Sequence, residues 1–93
     1  MFVKLHRIEQ RFDGSYYLAE VRLNVSHISY ISENMEMKAK LQEGKLGIGL
    51  HESTTFTNVT VSSNRNTERI VVVGDPELIE SRINKPYKQL LRG

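Results

Sequence analysis

Three histidines, His6, His27 and His51, are the side chains of this sequence best suited to metal or acid–base chemistry. They fall on three separate segments, and none has a second histidine or a carboxylate at ligand-like spacing. His51-Glu52 lacks the second histidine of a zinc-protease helix. A surface or packing role is the simpler reading of each. Ser26, Ser53 and Ser62 have no nucleophile-elbow context. Asp75, Glu77 and Glu80 suit the N-terminal half of a helix, which accounts for them electrostatically. Cysteine is absent, which removes disulfides and thiolate metal sites. The expectation is a non-enzymatic chain with no catalytic residue, metal or cofactor.

Binding chemistry has more material. Arg65 and Arg69 surround a polar cluster that includes Asn64 and Asn66, and both residue types contact phosphates or bases. Lys85, Lys88 and Arg92 add positive charge at the C-terminal end with no acid among them. Asn64, Arg65, Arg69, Lys85 and Lys88 are therefore the candidate nucleic-acid contacts. The overall balance opposes a dedicated nucleic-acid protein: the formal net charge is only +2, whereas duplex binders carry a clear basic excess. The segment GKLGIG, Gly44 to Gly49, is not followed by a helix pattern, so it is neither a P-loop nor a dinucleotide fingerprint.

These residues are carried by a mostly β pattern. Phe2 to Ile8 alternates as a first strand, and Asp13-Gly14 is a turn dipeptide that predicts a hairpin to a second strand, Tyr16 to Leu23. A third strand spans His27 to Glu33, where Ile28 and Ile31 are three apart; a bulge would turn both inward, and a helical turn is the competing reading. Met35, Met37, Ala39 and Leu41 alternate like a strand, followed by a protruding hairpin or mobile loop around Gln42 to Gly47. Thr54 to Ser62 and Arg69 to Val73 complete the set, joined by the polar turn Ser62 to Asn66. The last strand runs into a clear helix start: Gly74 breaks it, Asp75 caps, and Pro76 takes the first helical position. Leu78, Ile79 and Ile83 form its apolar stripe, and Asn84 and Pro86 are expected to end it, giving a helix of about 76–84 and a tail.

Five short strands with polar turns favour a small, strongly bent open barrel, and 93 residues make one domain. A chain this short buries a modest core, and oligomerisation is a common way to add burial. The β-branched run with Ile70 and Val72 reads as an edge for pairing between copies, sealed by Leu90 and Leu91. The opening MFVKLHRIEQRF has no long apolar region, and no stretch reaches the length of a membrane span, so a cytoplasmic location is expected.

The order VKLHRI, then LNVSHISYISE, then IVVVGDPELIESRI resembles the small Sm-like barrel proteins. Within that group it is similar to the flagellar-associated FlbD-like chains and to small phage and marine environmental sequences. The FlbD-like resemblance covers Val3 to Ile8, Leu23 to Glu33 and Ile70 to Ile83, with polar Asn24 before the third strand. It implies an Sm-like β-barrel with a C-terminal helix and a homo-oligomer, with a ring as one form of it and RNA as an alternative partner. Sm proteins build their RNA pocket with an Asn in one motif and an Arg-Gly pair in another. Here Ser29 stands where that Asn would be sought, and Val73 precedes Gly74 in place of the Arg. The functional expectation is thus a non-enzymatic homo-oligomeric binding or assembly module, with an RNA-binding chaperone as the alternative.

Overall fold

The computed structural model describes the backbone of residues 1–92 and the side chains of residues 1–84. Its fold is mainly β: strands β1 (Phe2–Gln10), β2 (Tyr16–Asn24), β3 (Ile28–Glu33), β4 (Phe56–Ser63) and β5 (Asn66–Val73), with helices α1 (Met35–Gln42) and α2 (Pro76–Arg92). The strands form one antiparallel sheet in the order β2-β1-β5-β4-β3, which does not close on itself. The expected five-stranded open barrel class is therefore found, with β2 and β3 as its two edges.

Alternation along the strands builds two apolar clusters, one on each face of the sheet. On the first face, Val3, Leu5, Val59, Ile70 and Val72 pack together under Ile79 of α2. Val21, Leu23, Ile28, Ile31 and Ile83 extend this cluster. On the second face, Ile8 and Phe56 meet Leu46, with Met37, Leu41, Ile48, Leu50, Val71 and Val73 around them. Both faces of β5 are covered from Ile70 to Val73, which explains why that half is an unbroken apolar run.

The junction of β5 and α2 forms as its residues dictate. Gly74 has φ 122°, a conformation that favours glycine. The Asp75 carboxylate accepts the Leu78 N–H at 2.8 Å, capping α2. Thr57, fully buried, donates its hydroxyl to the Gly74 carbonyl at 2.7 Å and ties the junction to β4. The helix does not stop at Asn84 or Pro86 but runs to Arg92. Proline removes one intrahelical hydrogen bond, while the flanking Lys, Gln, Leu and Arg residues all favour helix.

Two further expectations need correction. The Met35 to Leu41 segment is helical, not extended. Asn34 caps it by accepting the Met37 N–H at 2.8 Å, and Met37 and Leu41, four apart, both reach the Phe56 cluster. The glycine-rich segment does not protrude either. Gly44, Gly47 and Gly49 adopt positive φ and fold the chain back, so that Leu46 is buried against Phe56 and Ile8. The irregular third strand resolves as a single turn of 3-10 helix, Val25–His27, followed by a register shift between Ile28 and Tyr30. That bulge lets Ile28 and Ile31 both join the first-face cluster.

Candidate interaction surface

The residues proposed for an oligomer edge separate in the fold. Ile70 and Val72 belong to β5, which is paired with β1 on one side and β4 on the other. Their side chains are 3% and 0% exposed. They are core side chains on the central strand of the sheet, joined to β1 by the bridge Arg7–Val72 and to β4 along its length, so the structure places this run inside the sheet and not at its edge. A β-branched run marks burial on both faces equally well as it marks an edge. Leu90 and Leu91 lie outside the described side chains, as do Lys85 and Lys88.

The free edge that carries the most unpaired backbone is β2. It is hydrogen-bonded to β1 alone, through a continuous register from Phe2–Asn24 to Gln10–Tyr16. It contains no proline or bulge, two of the devices that protect an edge, and its only charges are the exposed pair Glu20 and Arg22. Tyr17, Ala19, Val21 and Leu23 share the first face, and Val21 and Leu23 continue its apolar cluster outward. Leu18, Glu20 and Arg22 are exposed on the second face. Arg22 lies directly opposite Lys4, a like charge, and has Glu20 at 3.3 Å as its ion-pair partner on the same strand.

The other edge, β3, is shorter and carries the bulge. Helix α2 packs against both β3 and β4. Its second face bears Tyr30, 62% exposed. Tyr30 sits opposite Thr60, which in turn sits opposite Arg69. This cross-strand row joins an exposed aromatic ring, a hydroxyl and a guanidinium. The Thr60 hydroxyl is buried without a hydrogen-bond partner. Arg69 is exposed, and Asn64 and Arg65 form the β4–β5 turn, with Asn64 at φ 53°. The structure therefore sets Arg69 and Tyr30 on either side of Thr60 in one cross-strand row, an alignment that the sequence alone did not assign. Cross-strand register is long-range information, and only the spacing of the β4–β5 turn hints at it.

The β1–β2 hairpin tip is a third surface. Phe12 projects fully into solvent, at 113% exposure. Gln10, Arg11, Phe12, Asp13 and Tyr17 line a shallow cleft of about 550 Å³. The Arg11 guanidinium lies 4.6 Å from the Tyr17 ring centre. The Tyr17 hydroxyl donates to Glu9 at 2.6 Å, and that hydrogen bond raises the phenol pKa above its ordinary value. Arg7 pairs with Glu9 at 2.9 Å and with Glu68 at 3.6 Å. At the turn, the Ser15 hydroxyl and N–H donate to Asp13 at 2.6 and 2.9 Å, which lowers the carboxyl pKa. These contacts fix the hairpin.

The histidines stay apart. His6 is exposed on β1, His27 ends the 3-10 turn, and His51 bonds Ser53 at 2.7 Å. Among the described residues, no group of three or more His, Asp or Glu side chains is arranged to hold a metal ion. No helix among them is long and apolar enough to cross a membrane. Comparison with known proteins finds no matching family model, no matching curated protein and no matching solved structure.

Proposed function

We propose that this domain is a non-enzymatic, homo-oligomeric binding and assembly module of the Sm-like kind, working in the cytoplasm. The observation that carries the reading is the open edge of β2: a nine-residue strand without proline or bulge, bonded on one side only. Unpaired N–H and C=O groups in a row form a template for another strand, and a small domain gains burial by using it. Sedimentation at micromolar concentration tests the reading. It expects a defined oligomer, and a clean monomer would remove it.

A second reading, an Sm-like RNA-binding chaperone, draws on the Tyr30–Thr60–Arg69 row. An exposed ring and an arginine two strands apart in one row suit a stacked base and a phosphate. Near-neutral net charge limits the counterion-release contribution to affinity. The expected outcome is no tight binding to oligo-uridine or oligo-adenine at physiological salt. A submicromolar, sequence-selective affinity that Arg69→Ala reduces would make RNA binding the leading reading.

A further inference from the structure

Resting on the assembly reading, we propose that two copies pair antiparallel through β2, with the two-fold axis at Val21. The register follows from charge and parity. When two identical antiparallel strands meet about a dyad, residues equidistant from the centre face each other, and both lie on the same face of the joined sheet. A dyad at Glu20 sets Glu20 against Glu20 of the second copy. A dyad at Arg22 opposes the two Arg22 side chains in the same way. A dyad at Ala19 places Leu18 against Glu20 and leaves both charges without an opposite. A dyad at Val21 alone places Glu20 against Arg22, twice by symmetry.

The remaining positions agree with this choice. On the first face, Val21 meets Val21 and Ala19 meets Leu23, so an apolar row joins two existing clusters. On the second face, exposed Leu18 meets Asn24 at the end of the overlap. Arg22 faces Lys4 across its own hairpin and has one carboxylate within reach. Glu20 of the second copy supplies the missing counter-charge. The result is a continuous ten-stranded sheet, twice the five of one copy, whose outer edges are the two β3 strands. Head-to-tail pairing of β2 with β3 is the competing arrangement. The bulge between Ile28 and Tyr30 interrupts the ladder such pairing needs.

The test uses charge reversal in the full chain, followed by sedimentation or native mass spectrometry. Glu20→Arg sets arginine against arginine, and Arg22→Glu sets glutamate against glutamate. Each alone is expected to weaken the dimer by roughly tenfold or more. Mixing the two variants pairs every arginine with a glutamate and restores a heterodimer, and the double variant E20R/R22E restores a homodimer. Val21→Cys provides a second readout, since the chain has no native cysteine. Cysteines facing each other across an antiparallel pair lie within disulfide reach, so oxidation is expected to cross-link Val21→Cys to itself. Wild-type association that neither charge variant disturbs would overturn the register and leave the assembly reading standing. Cross-linking between Val21→Cys and Ser32→Cys chains would overturn it in favour of head-to-tail pairing. A monomeric wild type would overturn both.

Discussion

Strands β2 and β3 end the same sheet, but they are finished in different ways. β3 is six residues long, bulged, and packed against α2. β2 is nine residues long, regular, and held by β1 alone. The difference traces to chain order. β3 pairs with β4, and α2 returns from β5 across the first face to pack on both. β2 belongs to a hairpin that extends past the single β1–β5 bridge at Arg7–Val72. One edge is short and bulged with a helix on its first face, and the other is long and regular. Self-association is therefore expected to depend on β2 and stability on the first-face packing of α2.

The largest effect expected from breaking this contrast is at Ile79, which is fully buried between α2 and the first face. Ile79→Ala should cost about 2–5 kcal/mol, read as a fall in denaturation midpoint. Loosening α2 should also expose β3 and broaden the oligomer distribution. A midpoint near wild type would mean that α2 does not hold that side. Gly74→Ala comes next. A Cβ there would sit 3.2 Å from Ile79 Cδ1 and 3.3 Å from Leu78 Cδ2, at a φ of 122°. The strain should cost about 1–3 kcal/mol and act through α2, leaving association through β2 in place.

Smaller effects on stability sharpen the other side of the comparison. Leu18→Lys places an edge-protecting charge on β2 at an exposed position. Thermal stability should change by no more than about 0.5 kcal/mol, while self-association falls. Unchanged association would move the interface elsewhere. The smallest effect concerns Tyr17, whose bond to Glu9 locks the tip of β2 to β1. Because that bond holds the phenol protonated, its contribution is present below the ordinary tyrosine pKa and is lost as pH rises through the raised value. Spectrophotometric titration should show Tyr17 ionising late, and Glu9→Gln should return it toward the ordinary range.

Much of this architecture was legible in the residues. Alternation in Phe2 to Ile8 and Tyr16 to Leu23, the Asp13-Gly14 turn and the Gly74-Asp75-Pro76 junction are local signals, and local hydrogen bonds satisfy them. The Ile28–Ile31 spacing left a bulge and a helical turn open, and the structure has a bulge within the strand and a 3-10 turn just before it. The Met35 to Leu41 segment misled because Met37 and Leu41 satisfy a period of two and an i, i+4 helical contact alike. The cap at Asn34 was the signal that separates them. The edges were not legible. Which strand is central depends on the β1–β5 pairing, a contact between distant parts of the chain. Ile70 and Val72 therefore read as an edge when they are the centre. The Tyr30–Thr60–Arg69 row has the same character, since it joins three strands.

The most direct test of the contrast between the edges is amide hydrogen exchange of the wild-type protein, compared across a concentration series that spans the monomer–oligomer transition. Strands joined between copies lose exchange at their outward amides. Protection that rises with concentration along Leu18 to Asn24, and stays constant along Ile28 to Glu33, is the predicted result. Protection that rises along β3 instead, or along neither strand, would contradict the account.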